Sequence, residues 1–187
     1  MACTFEDLIQ SIQSCGGAIG SISDVWGCDI NEVDLANTLA VQTATKTTIT
    51  ALTLNNANVM GHLQFSKNNT AFCKETGTDN NGPVANQTLI QFLGLSPEKI
   101  EVGNKMYGLN GLFIVVKYND GQKRAFGIQF NYVTSELELA TVPPVPKLST
   151  DSGTNVTDNS FLGIEFNGQQ RGLALYVDIV DADLTGL

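Results

Sequence analysis

The side chains that could do chemistry in this chain are few. A single histidine, His62, sits in VMGHLQF, where strand alternation groups it with Met60 and Gln64. A catalytic base needs a nucleophile within reach, and no serine or cysteine nucleophile motif accompanies it. Glu136 and Glu138 lie two apart, the spacing that puts two carboxylates on one face of a strand, as a glycosidase could use. Alternation with Leu137 and Leu139 reads more simply as the solvated face of an edge strand. The four cysteines, Cys3, Cys15, Cys28 and Cys73, form no C-x-x-C pair, and one histidine cannot complete the usual zinc spacings. No neighbouring base marks Cys15 or Cys28 as a reactive thiolate. The run Gly16-Gly17-Ala18-Ile19-Gly20 follows a helix-like segment and lacks the lysine of a phosphate loop. The expectation is therefore no catalytic set, no cofactor and no metal.

Charge narrows the partners. Nineteen acids against ten bases give a net charge of −9, which works against gripping nucleic acid phosphates. Lys117, Lys123 and Arg124 are too few for a binding groove. The first ten residues, MACTFEDLIQ, carry acids where a signal peptide needs bases, and no apolar run reaches the roughly 18–20 residues that span a bilayer. Cytoplasmic assembly with free thiols, away from any membrane, is the expectation. The three Asn-x-Thr triplets at Asn68, Asn86 and Asn155 then carry no sugar.

The elements that would position these residues are mostly strands. At 187 residues and 42 % apolar, the chain can bury one sizeable core. Thr4, with Asp7 three residues on and Phe5, Leu8, Ile9 and Ile12 on one face, predicts a helix ending at Gly16–Gly17. Residues to about 40 read as an arm or linker with a short strand around Trp26. This divides the chain into an N-terminal helix and arm (1–45) and a β-domain (46–187). Within the latter, Thr47–Leu54, Val59–Ser66 and Thr88–Leu95 read as strands, and Ser96-Pro97 opens a short helix or turn.

The clearest structural signal is GLFIVVKYNDGQKRAFG, a β-hairpin around Asp120–Gly121. A two-residue turn would set Val115 against Phe126 and Lys117 against Arg124; a three-residue turn with a Gly121 bulge shifts the register by one. Both remain open on sequence, since like charges facing each other count against the first. Prolines 143, 144 and 146 are expected to end the Glu136–Leu139 strand, and Asn167–Gly168 to turn Phe161–Phe166 back into Leu173–Val180. The lack of helical runs between strands counts against a parallel sheet with crossover helices. The predicted fold is mainly β, an antiparallel sandwich or barrel with one or two short flanking helices.

The order of SCGGAIGSISDVWGCDINEV, TTITALTL, FSKNNTAF, the mid-chain hairpin and FLGIEFNGQQRGLALYV resembles tail tube proteins of tailed bacteriophages, in particular those of Bacteroidota phages. The resemblance covers most of the chain and rests on layout. It implies a structural virion protein without enzymatic activity, assembled in the host cytoplasm into rings, six-membered in that family, which stack into a tube that conducts DNA. Other virion proteins would be its partners, and head, neck or decoration roles stay open. Acidity suits such a conduit, because phosphates pass without being held. Long polar loops, Thr76–Pro83 and Thr150–Ser160, suit contacts between subunits. They nominate Asp79, Asn80, Asn81, Gly82, Asp151 and Asn155, with Trp26 from the arm, as interface residues. A different class also fits the hairpin, which resembles strands of jacalin-like lectins, so a carbohydrate-binding module is the alternative.

Overall fold

A computed structural model describes residues 22–43, 46–55, 60–64, 71–77, 82–93, 95–152 and 160–185. The predicted N-terminal helix lies outside them. The elements are β1 (Ile22–Asp29), a 3-10 turn (Ile30–Glu32), β2 (Leu39–Gln42), β3 (Thr47–Ala51), β4 (Gly61–Gln64), β5 (Ala71–Thr76) and β6 (Val84–Leu93). Then come helix α1 (Pro97–Tyr107), β7 (Leu112–Tyr118), β8 (Lys123–Phe126), β9 (Ile128–Asn131), β10 (Glu136–Leu139), β11 (Val142–Asp151), β12 (Phe161–Gln170), β13 (Leu175–Val177) and helix α2 (Asp181–Thr185). The chain is mainly β. Seven strands form one sheet in the order β2-β3-β13-β8-β7-β1-β4, four form another as β11-β12-β6-β5, and β9 pairs with β10. Pairing is antiparallel except between β13 and β3. Of the two predicted architectures the barrel drops out, because β2 and β4 end the large sheet without meeting.

The apolar run in β7 explains the layering. Phe113 and Val115 point into one core with Trp26, Ile49, Ala125, Ile128 and Leu184. Leu112, Ile114 and Val116 point into a second core with Val25, Ile90, Phe126, Leu162, Ile164 and Phe166. A strand without polar alternation is one covered on both faces. The four-stranded sheet covers one side, and β9 with α2 covers the other. Each large apolar side chain so buried contributes roughly 1.5–3 kcal/mol. Helix α1 starts at Pro97, where a missing N–H costs nothing. It lies close to the smaller sheet, as a Cβ on Gly103 would stand 3.4 Å from Leu148 Cδ1 and 3.7 Å from Leu162 Cδ2.

The hairpin takes the three-residue turn. Ile114 faces Phe126 and Lys117 faces Lys123, Tyr118 N–H donates to the Gln122 carbonyl at 2.8 Å, and Gly121 holds φ at +85°. Side-chain-bearing residues avoid that region, which is why a glycine stands there.

Three expectations change. The short strand expected around Trp26 is present, but it runs over residues 22–29 and lies not in an arm but as β1 between β7 and β4 in the large sheet. The polar residues of ISDVWGCD hid its central place, since Val25 and Trp26 point to opposite cores. Prolines 143, 144 and 146 do not end a strand but lie within β11. An outer strand tolerates residues that cannot donate to a ladder. Asn167–Gly168 is no turn, because β12 runs unbroken through it to Gln170. Gly168 is there for space: a Cβ would stand 2.8 Å from the Val142 carbonyl oxygen and 2.9 Å from Pro144 N.

Candidate assembly surface

Among the described residues the two larger sheets leave four outer strands, β2 and β4 on the larger, β11 and β5 on the smaller. An outer strand offers unpaired backbone groups to another chain unless something blunts it. In β11 three prolines remove donors; in β5, Lys74 and Glu75 supply charge. The sequence of β2, LAVQ, has neither, and Leu39 and Val41 are 59 % and 51 % exposed. Beside it runs a groove of about 560 Å³ of mixed character, lined by Leu35, Leu39, Phe130 and Leu137 together with Thr38, Ser135 and Glu136. The strand is launched by a tight turn at Asp34, whose carboxylate accepts from the side chain of Asn37 at 2.7 Å and from the backbone N–H of Ala36 at 3.1 Å. The Asn37 side-chain bond, foremost, holds that carboxyl below the usual carboxylate range. Thr38 then ties the turn down, donating to the Asp34 carbonyl at 2.8 Å and accepting from Thr53 N–H at 3.2 Å.

A row of charges crosses the face of the large sheet that carries Trp26. Asp24 pairs in register with Lys117, which pairs with Lys123. The two facing lysines would repel, but Asp181 at the start of α2 bridges them, with Lys123 Nζ at 2.8 Å from its Oδ1 and Lys117 Nζ on its Oδ2. Lys123 also donates to the Ile179 carbonyl. Burial pushes the Asp181 carboxyl up, but hydrogen bonds from the two lysines outweigh it and hold the carboxyl low. The Asp181 bond raises Lys117. At the β4 end, His62 Nε2 lies 2.9 Å from Asp24 Oδ1. The His62 ring stacks on Trp26 with centroids 4.7 Å apart and planes within 9°.

Between the sheets, Cys73 accepts from the Thr88 hydroxyl at 3.2 Å and lies beside Tyr118. Burial raises both the thiol and the phenol. Arg124 reaches across to Glu75 at 3.6 Å, whose other oxygen accepts from Ala174 N–H at 2.7 Å. Cys28 is pushed up to about 12, first by burial and then by Asp29 and Glu32. Neither thiol suits nucleophilic attack at neutral pH, since the thiolate is the reactive form. Glu138 accepts from Gln129 at 2.7 Å and Asn131 at 3.1 Å. These bonds, Asn131's first, hold it low, so it is poorly placed to act as an acid. A polar cleft of about 670 Å³ opens between Lys46, Gln122, Tyr176 and Asp178. Its aromatic ring is already engaged, with Arg124 at 4.5 Å and Lys46 at 5.2 Å from the centroid.

Among the interface residues nominated from sequence, Asp79, Asn80, Asn81 and Asn155 lie outside the described residues. Trp26 is 1 % exposed and belongs to the core, so it offers a partner no surface in this conformation. Gly82 precedes β6 at the end where Val84 pairs with Gln170, while Asp151 pairs with Phe161, which faces Leu93 at the far end. Ten strand residues, roughly 30 Å, separate those ends. The fold therefore does not gather these two into one patch. Leu39 and Val41 were missed because LAVQ is too short to show alternation. Comparison with protein families, curated proteins and solved structures finds no match to this chain.

Proposed function

We propose that this chain is a non-catalytic building block that associates with its own copies through the open edges of its larger sheet. We place it with the ring-forming tail tube proteins of tailed bacteriophages that its layout resembles. The observation that carries the reading is β2, an outer strand without proline or charge that exposes Leu39 and Val41 beside a groove partly lined by Leu35, Phe130 and Leu137. Covering such an edge recovers both backbone pairing and apolar burial. The net charge of −9 supports a conduit role, since copies gathered in a ring would repel phosphate instead of holding it. The carbohydrate-binding alternative can draw on the cleft at Tyr176, but the cations on that ring leave less aromatic surface for a sugar.

Sedimentation velocity on the chain and on Val41→Lys tests the proposal. The parent should form large species as concentration rises, and the variant should need at least about ten-fold more protein. Its unfolding free energy should stay within about 0.5 kcal/mol, as expected at an exposed position. A parent that stays monomeric at millimolar concentration overturns the reading.

A further inference from the structure

We propose that His62 is a proton-operated clasp that fastens the outer strand β4 to β1. Strand β4 spans four residues, and its partner among the described strands is β1. So short an outer strand opens locally at little cost, and one side-chain contact can shift that opening measurably. His62 makes two such contacts, the stack on Trp26 and the 2.9 Å bond to Asp24. Its side chain is 22 % exposed and that of Asp24 is 24 %, so protons reach the pair while water screens it only partly.

The surroundings give the clasp its direction. Asp24 on β1 is the carboxylate that touches the ring. Behind it Lys117 of β7 faces Asp24, and Lys117 and Lys123 of β8 share Asp181 of α2. Neutral His62 makes an ordinary hydrogen bond and an apolar stack. With a proton added, the same geometry becomes an ion pair and a cation over an indole face, both stronger contacts. Acid should therefore tighten β4, and mild alkali should loosen it. Histidine changes charge at pH values a cell or an experiment can reach.

The chain carries one tryptophan and one histidine, and they are this pair, so indole fluorescence reads the site directly. An imidazolium stacked on excited indole accepts electron density and quenches it. Across a series of increasingly acid solutions the parent should lose fluorescence reversibly, and His62→Gln should not. Hydrogen–deuterium exchange, corrected for the intrinsic rate, should slow about five-fold in the β4 peptide over the same range, with the β7 peptide unchanged. Asp24→Asn should keep the quench but lose most of the pH dependence of β4 exchange, leaving only the share carried by the indole stack, which separates the sensor from the clasp. Circular dichroism checks that both variants fold. Equal pH responses in the parent and His62→Gln, or β4 exchange independent of pH in the parent, overturn the proposal.

Discussion

Strands β2 and β11 are both outermost in their sheets, yet they are built on opposite plans. The ten residues of β11 include three prolines, and the strand is fitted closely against β12 at Gly168. The four residues of β2 carry no guard except their shortness and leave two apolar side chains more than half exposed. Shortness alone is a recognised defence of an edge, but it does not account for the exposed Leu39 and Val41 or for the groove beside them. A long edge closed with prolines and a short one left apolar make sense together if one must stay free and the other is to be covered. The contrast teaches that the sandwich is asymmetric in what it offers a neighbour.

The largest expected effect strikes the guarded edge. In Gly168→Val the new side chain would meet backbone of β11 at under 3 Å on two atoms, and Asn86 Oδ1 at 3.0 Å. Backbone cannot swing aside as a flexible side chain can, so β11 must lift from β12. A loss of about 3 kcal/mol in denaturant unfolding is expected, at the upper end of overpacking costs. If the contrast holds, this variant should also associate abnormally, because β12 would present its own edge. An unchanged unfolding midpoint would mean that β11 does not sit closely there.

A control distant from both edges sharpens the comparison. Asp181→Asn removes the bridge between Lys117 and Lys123 and should cost about 1 kcal/mol at pH 7, a modest figure because the carboxylate is 44 % exposed and screened. The sign follows from the shifts. A carboxyl held low in the fold contributes fully above its unfolded value near 3.9, and the contribution fades as pH falls through the folded value. Lys117, raised in the fold, contributes fully below its unfolded value near 10.4 and loses that as pH rises through the folded one. The gap between parent and variant should be flat from about pH 5 to 9.5 and narrow on both sides. Self-association should not change. If general weakening of the fold promotes association as strongly as edge substitutions do, the edges lose their special place.

The sequence made some of this legible and hid the rest for identifiable reasons. The hairpin could be read from Asp120–Gly121 and its apolar flanks because turn chemistry is local, and even its register was limited to two choices by the turn lengths that pair allows. The bridge that settles the like-charge conflict comes from Asp181, 58 residues beyond Lys123, which local pattern cannot supply. A strand around Trp26 was readable, but its place between β7 and β4 was obscured because both its faces are covered, Val25 on one and Trp26 on the other. Asn167–Gly168 misled because a glycine required for closeness to a neighbouring strand has the same letter as one required for a turn. Trp26 was drawn to the surface by its polar neighbours Asp24 and Asp29. Leu39 and Val41 gave no signal, since exposure depends on which strand ends a sheet.

The smallest effect on stability, and the most direct trial of the guard, is Pro146→Val. Pro146 is a buried residue of β11 opposite Phe166. Valine keeps most of its apolar contact and favours strands. Relief of the proline restraint on the unfolded chain works slightly against the fold, and β-propensity works for it. The net change should lie within about 0.5 kcal/mol by denaturant unfolding. What changes is the edge, which gains a backbone donor where none existed. Light scattering should then reveal association through β11 that Val41→Lys does not suppress, because the new joint lies on the other sheet. If the double variant Val41→Lys, Pro146→Val remains as monodisperse as Val41→Lys alone, this proline is not the guard of that edge, and the close fit of β11 to β12 must protect it instead.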